Sequence, residues 1–198
     1  MTLAFAPVLW LLVGLALAGV QDAPRYTNSV VTPVATDPDI IRAEGGFYLY
    51  ATQDNWADND GDHYIPIFRS ADLVNWTFVK DAFSAPPIWK ESGGFYWAPD
   101  ISFHGGTYYL YYAYSLWGDP NPCIGLATAK DGKRPRRSLG KAVFCSKDIG
   151  AQNSIDPFVW YEDGKRTMIW GSFNGIYAVA LNGCGSGRRN DPPGRHAL

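Results

Sequence analysis

A strand pattern that recurs about every 60 residues constrains the fold of this chain most strongly. The first copy follows Pro38, the second follows Pro99 and the third follows Pro157, so successive copies begin 61 and 58 residues apart. Each copy predicts a strand, a hairpin turn that contains glycine, and a second strand rich in aromatic residues. Two shorter strands then complete the unit. A repeat of this length with four strands per copy predicts the blades of a β-propeller.

The predicted fold class is therefore all-β, a β-propeller of about three four-stranded blades over residues 26–182. In the third blade the strand at residues 175–181 lacks a partner in the sequence pattern. Residues 183–198 are rich in Gly, Arg and Pro and show no strand pattern, so we expect a disordered or aberrant tail. The shorter strands of the first two blades are expected at residues 65–70, 76–79, 124–129 and 141–144.

Charge and the N-terminal segment limit the classes of partner. The net charge of −2 gives no electrostatic reason to expect nucleic acid or an anionic membrane as a partner.

Residues 1–18 are predicted to be a signal peptide, because an apolar stretch ends in Ala16-Leu17-Ala18, the pattern of a cleavage site. An uncleaved anchor is the alternative, since about 20 apolar residues can span a bilayer. We expect a secreted, extracellular protein with no membrane contact after cleavage.

Two acidic residues occupy the position before the repeated proline. Asp37 holds this position in the first copy and Asp156 in the third, whereas the second copy has Ala98. The first strands of propeller blades line the central channel, so both carboxyl groups are expected to converge at one mouth of it. Alternatively, each Asp caps a turn through its own backbone. Ala98 argues against that alternative, because a capping role predicts Asp in every copy.

Five short motifs carry a family resemblance. They are Thr36-Asp37-Pro38, the stretch from Ser70 to Trp76, Trp97-Ala98-Pro99-Asp100, Asn153-Ser154-Ile155-Asp156-Pro157 and Gly171-Ser172-Phe173. Taken together, these motifs resemble glycoside hydrolase family 43, five-bladed propeller enzymes that cleave arabinan and xylan; the resemblance covers about residues 30–182. Within the family, residues 108–127 and the last two motifs favour an endo-1,5-α-L-arabinosidase-like hydrolase; a β-xylosidase or α-L-arabinofuranosidase of the same family is the alternative.

The resemblance also implies roles for individual residues. The family inverts the anomeric centre with a general base, a general acid and a third carboxylate. Asp37 matches the base, and Asp156 matches the third carboxylate, which tunes the pKa of the acid. The implied partner is a polysaccharide or oligosaccharide substrate. Positions that match substrate contacts of the family are Trp97, Trp117, Gly118, Asn153 and Ser172. For the two Trp residues, packing between blades is the alternative role.

The general acid of the family has no counterpart in this chain. In the family it is a Glu of the fourth blade, and none of Glu44, Glu91 and Glu162 has that sequence context. We therefore expect a truncated family member with impaired hydrolysis; a non-catalytic carbohydrate-binding fragment is the alternative. No cofactor is expected to be required. The family often holds calcium in its channel through a His of the last blade, which this chain lacks, so no metal site is expected.

The three cysteines leave one question open. If residues 124–129 pair antiparallel with residues 141–144 so that Ile124 faces Phe144, Cys123 and Cys145 lie opposite each other. An oxidising compartment then permits a disulfide between them. Both the bridged and the free state stay open, because the Cα atoms must also approach within about 7 Å. The odd number of cysteines leaves at least one, such as Cys184, without a partner in the chain.

Overall fold

The structure is a computed structural model that describes residues 26–91, 93–130, 137–183, 185 and 194–195. Three antiparallel sheets follow one another along the chain, as successive propeller blades do. The predicted all-β fold is confirmed. The strands are β1 (Asp39–Ala43), β2 (Gly46–Tyr50), β3 (Asp54–Asn55), β4 (Asp62–His63), β5 (Pro66–Ser70), β6 (Trp76–Asp81), β7 (Phe95–His104), β8 (Thr107–Ser115), β9 (Cys123–Ala129), β10 (Arg137–Ser138), β11 (Phe144–Cys145), β12 (Phe158–Glu162), β13 (Lys165–Ser172), β14 (Gly175–Ala180) and β15 (Gly194–Arg195), and the helix α1 (Ser146–Ile149) lies between β11 and β12.

The three blades share one topology. The strand order is β1-β2-β5-β6 in the first blade, β7-β8-β9-β10 in the second and β12-β13-β14-β15 in the third. The repeat alignment is also the structural one, since Asp39 pairs with Tyr50, Asp100 with Tyr111, and Phe158 with Ile169 at the start of the three hairpins. The innermost strands of the blades are therefore β1, β7 and β12.

The outer edges of the second and third blades differ from the sequence prediction. Instead of one strand at residues 141–144, two short strands, β10 and β11, both pair with β9. Between them Gly140 turns the chain with φ of 72°, which interrupts the edge. In the third blade, β15 pairs with β14 inside the segment expected to be disordered. Pairing at an open strand edge needs only backbone groups, so an apolar pattern does not reveal it.

Aromatic residues fill the spaces between the blades. Strand β8 is the central strand of this arrangement: Tyr112 and Tyr114 pack towards the first blade, whereas Tyr111 packs towards the third. This alternation explains the aromatic run of the second repeat, because successive side chains of a strand point to opposite faces and both faces are buried here. Gly125 of β9 lies so close to the Tyr112 ring that a Cβ atom would stand 2.3 Å from it.

The short hairpin β3–β4, which the repeat pattern does not predict, is anchored by a buried histidine. The His63 ring stacks on Trp56 with a centroid distance of 3.7 Å. Its Nε2 lies 3.1 Å from Asp58 and its Nδ1 lies 3.1 Å from Asp81 of β6. The hairpin is therefore fixed to the outer strand of the first blade.

A disulfide joins the outer edge of the second blade to β9. Cys123 and Cys145 are bonded, with Cα atoms 4.0 Å apart. The register that the sequence suggested, with Phe144 opposite Ile124, is confirmed. Cys184 and the predicted signal peptide lie outside the described residues. In the part of the chain that the structure describes, no helix is long and apolar enough to cross a membrane.

Candidate active site

The residues before the repeated prolines share an unusual backbone conformation. Asp37, Ala98 and Asp156 have φ values of 47°, 39° and 52°, in the left-handed region. For residues other than glycine this conformation costs about 1–3 kcal/mol, so surrounding contacts must hold it. Asp37 and Asp156 directly precede the Pro residues that lead into β1 and β12, whereas Ala98 lies within β7 at a shift of its register with β8. Asp37 and Asp156 thus lie at one mouth of the partial channel.

The two carboxyl groups interact electrostatically. Burial, followed by the negative charge of Asp37, raises the pKa of Asp156 above its ordinary value. The Asp37 carboxylate does not bond to its own turn through its Oδ2 atom, because that oxygen accepts a hydrogen bond of 2.7 Å from Thr52 Oγ1. A pair of carboxyl groups from separate blades, one of them with a raised pKa, is typical of glycosidase sites.

A cleft of about 460 Å³ opens between the second and third blades. Four of the five substrate-contact positions line it: Trp97, Trp117, Gly118 and Asn153. Ser172 is not among the lining residues, although its neighbour Phe173 is. Asp156 follows directly on Ile155, which lines the cleft, and Ala98 follows on Trp97. Neither Asp37 nor Asp156 itself lines the cleft, so the acidic pair adjoins it only through Ile155, the residue before Asp156.

Aromatic side chains face this cleft with much of their surface free. Trp117 is 86% exposed, which excludes packing between blades as its role. Trp97 is half-buried and contributes both to packing and to the cleft wall. Phe173, 84% exposed, is a third aromatic residue of the cleft, and sequence reasoning used it only as part of a family motif. Its place after Ser172 in the β13–β14 turn was the signal for an exposed ring.

An ion pair fixes the loop that carries Trp117. Lys90 Nζ lies 2.8 Å from Asp119 Oδ2, with both side chains less than one-fifth exposed. Lys90 also donates to the Asn121 carbonyl at 2.6 Å, and the Ser115 hydroxyl donates to Asp119 at 3.0 Å. The loop is thus held at its start by Ser115, at its end by Asn121, and from outside by Lys90 of the connection that precedes β7. Its geometry is set before any ligand arrives.

Two further aspartates connect the innermost strands behind the site. Asp39 Oδ2 accepts a hydrogen bond of 2.6 Å from Ile101 N, and Asp100 Oδ1 accepts one of 3.3 Å from Val159 N. These are the same contact in successive blades, because each aspartate directly follows the repeated proline. Burial, together with the charge of Asp39, raises the pKa of Asp100 to about 7. Sequence reasoning missed both, although the repeated Pro-Asp pair was a signal for them.

Comparison with known proteins decides the family. Residues 26–190 match the family described as Glycosyl hydrolases family 43. This chain belongs to that family. The predicted membership is confirmed, and the match covers the three blades except strand β15.

The relatives within family 43 include arabinan-cleaving enzymes. The extracellular endo-α-(1→5)-L-arabinanase 1 of Bacillus subtilis (strain 168) is 30% identical over 153 residues, which cover 74% of this chain and 46% of that protein. The extracellular exo-α-(1→5)-L-arabinofuranosidase ArbA of Cellvibrio japonicus is 31% identical over 160 residues, covering 74% and 43% respectively. This chain spans about half the length of the curated relatives it matches.

Solved structures give the same relationship. The Cellvibrio cellulosa α-L-arabinanase complexed with arabinohexaose aligns with a TM-score of 0.67 and 29% identity, covering 83% of this chain and 53% of the other. An exo-1,5-α-L-arabinanase from a bovine ruminal metagenomic library aligns with a TM-score of 0.67 and 28% identity, covering 87% and 58%. These alignments confirm the propeller architecture.

Two parts of the family 43 site have no counterpart among the described residues. Glu44 lies in the β1–β2 turn, Glu162 ends β12 and Glu91 lies in a connecting loop; all three are exposed, and none of them lines the cleft. No group of three or more His, Cys, Asp and Glu residues suited to a metal ion occurs in the described part of the chain. His63 is held by Asp58 and Asp81 on the blade rim, so it does not fit the channel calcium that the family implies.

Proposed function

We propose that this chain acts on arabinan, with Asp37 as the general base and Asp156 as the carboxyl group that tunes the site. The observation that carries the proposal is the electrostatic interaction of Asp37 and Asp156 across two blades, with Ile155, the residue before Asp156, in the wall of an aromatic cleft. Family membership and the arabinan-cleaving relatives support the choice of substrate.

The reaction is hydrolysis with inversion at the anomeric carbon. Asp37 takes a proton from a water molecule while the water oxygen bonds to the anomeric carbon from the face opposite the leaving group. The glycosidic C–O bond breaks, and its electron pair stays on the departing oxygen. Because none of the three Glu residues lines the cleft to act as the general acid, this oxygen leaves as a stable anion, such as 4-nitrophenolate, or is protonated by solvent, so arabinan itself is cleaved poorly. This scheme requires no cofactor.

The cleft supplies the surfaces for binding the sugar. Trp117 and Trp97 present ring faces suited to the C–H faces of arabinose units, and the exposed ring of Phe173 adds a third. Gly118 and Asn153 lie beside them, where backbone and amide groups are available to sugar hydroxyls. Ser172 is proposed as a contact only for a longer ligand that extends past Phe173.

The proposed function is tested with two substrates of different leaving groups. The full chain is assayed on debranched arabinan, where a general acid is needed, and on 4-nitrophenyl α-L-arabinofuranoside, where it matters little. We expect turnover of the aryl substrate, with Asp37→Asn reducing it about 10²–10⁴-fold. Asp163→Asn, an exposed hairpin-turn aspartate, is the matched control. Equal activity of wild type and Asp37→Asn, or no turnover and no binding of arabinohexaose by wild type, overturns the proposal.

Binding without cleavage is a second candidate function. It is favoured by one observation: none of the three Glu residues lines the cleft. This candidate predicts micromolar to millimolar affinity for arabinohexaose, lost in Trp117→Ala, with no product from either substrate. Parallel assays on xylan and 4-nitrophenyl β-D-xyloside distinguish arabinan from xylan as the substrate class.

We also infer secretion. The segment expected to be a signal peptide precedes the described residues, and several relatives are named extracellular. Expression of the full chain in its own host, with N-terminal sequencing of the protein in the medium, tests this. A mature N-terminus at Gly19 is expected; protein retained in the cell with Met1 intact is the contrary result.

A further inference from the structure

Thr52 occupies a special place in the repeat. Because Tyr50 and Tyr111 are equivalent, as is Ile169, the position two residues later is Thr52 in the first blade, Ala113 in the second and Gly171 in the third. A hydroxyl group therefore occurs at this position only in the blade that carries the proposed base. In the first and third blades the backbone N–H at this position makes an equivalent hydrogen bond: Thr52 N donates to Thr36 O, and Gly171 N donates to Ile155 O.

The hydroxyl group of Thr52 connects the first two blades through two hydrogen bonds. Ala98 N donates to Thr52 Oγ1 at 2.8 Å, and Thr52 Oγ1 lies 2.7 Å from Asp37 Oδ2. A threonine hydroxyl has a single proton, and an N–H group can only donate. With Asp37 ionised, as a general base must be, the Thr52 proton is therefore directed at Asp37 Oδ2.

The residues on either side of Thr52 hold it in place. Thr52 N is bonded to Thr36 O, and Gln53 exchanges hydrogen bonds with Tyr96: Gln53 N donates to Tyr96 O at 2.9 Å and Tyr96 N donates to Gln53 Oε1 at 3.1 Å. The Thr52 side chain thus has little freedom to follow a moving carboxylate. Instead, the carboxylate of Asp37 is held by the hydroxyl.

We propose that Thr52 is a positioning residue that orients Asp37 and leaves its Oδ1 atom as the oxygen that receives the proton of the attacking water. The inference rests on the proposed function of Asp37 as the base. Because Oδ2 already accepts the Thr52 hydroxyl proton, we assign the proton of the attacking water to the other carboxylate oxygen, Oδ1. The contact to Ala98 also couples the position of Asp37 to Trp97, the adjacent wall of the cleft. The hydrogen bonds of Thr52 thereby fix the position of Asp37 relative to Trp97.

The test compares Thr52→Val, which keeps the shape and removes the hydroxyl, with Thr52→Ser, which keeps the hydroxyl. Thr128→Val, a half-buried threonine of β9, is the control for replacing threonine by valine. With 4-nitrophenyl α-L-arabinofuranoside we expect Thr52→Val to lower kcat about 10²-fold with little change in KM, as misplacement of a reacting group by about 1 Å does. Thr52→Ser is expected to restore kcat to within a few-fold of wild type. Wild-type kcat in Thr52→Val, or a loss confined to KM, overturns the inference.

A second readout does not depend on turnover. Crystal structures of wild type and Thr52→Val are compared at the Asp37 side chain. The inference predicts that the carboxylate leaves its wild-type rotamer, or occupies two, when the hydroxyl is absent. An unchanged Asp37 rotamer in Thr52→Val refutes the positioning role. If wild type neither binds arabinohexaose nor cleaves the aryl substrate, the proposed function fails, and the crystallographic comparison still decides the role of Thr52.

Discussion

Replacing Asp100 by Asn should stabilise the protein at alkaline pH and leave it almost unchanged at acidic pH. Asp100 is 6% exposed, and its Oδ2 atom is buried without a hydrogen-bond partner. Its Oδ1 atom accepts a long hydrogen bond from Val159 N, at 3.3 Å. A carboxylate in this position is poorly solvated, and the charge of Asp39 makes ionisation less favourable still.

The magnitude follows from proton linkage. The pKa of Asp100 is raised from 3.8 to about 7 in the folded protein. Between these two values the folded state binds more protons than the unfolded state, so the free energy of unfolding falls as the pH rises. At about 1.4 kcal/mol per pH unit, the full penalty is about 4 kcal/mol, complete above about pH 8 and absent below about pH 4. Asn keeps the shape of the side chain and the acceptor for Val159 but cannot ionise.

The assay is urea unfolding followed by tryptophan fluorescence, under non-reducing conditions, at several values between about pH 4 and about pH 8. The difference in unfolding free energy between Asp100→Asn and wild type should grow with pH by up to about 4 kcal/mol. Asp163→Asn, at an exposed hairpin turn where a left-handed φ of 49° suits Asn, is the control and should show no such trend. A difference that stays constant within about 1 kcal/mol over this range would refute the reasoning.

Two other perturbations probe the cleft and the disulfide. Lys90→Met removes the ion pair beneath the loop of Trp117, and we expect about tenfold weaker binding of arabinohexaose in calorimetry, whereas the exposed Lys141→Met should bind as wild type does. Equal affinities of Lys90→Met and wild type would show that the loop keeps its geometry without the pair. Reduction of the bond between Cys123 and Cys145, which are 22 residues apart, should lower the unfolding free energy by about 3 kcal/mol. Overlapping urea curves with and without reductant would contradict this.

The sequence alone determined the repeat and hence the architecture. The recurrence of proline, a glycine turn and an aromatic strand placed three blades, and the register of Asp39, Asp100 and Phe158 confirms that alignment. Such patterns are local, since strand alternation and turn residues depend on neighbours within a few positions. The disulfide register between β9 and β11 could also be derived, because it follows from one antiparallel pairing.

Only the tertiary structure decided which groups meet. Thr52 has no motif of its own, and its role depends on Ala98 approaching from another blade, 46 residues along the chain. Asp100 has the same repeat position as Asp39, yet its raised pKa arises from burial between strands that the sequence does not show to be in contact. Phe173 and Trp117 come from different blades and share a cleft because those blades pack side by side. Hydrogen bonds, desolvation and cavities depend on distances between segments remote in sequence, which a local pattern does not contain.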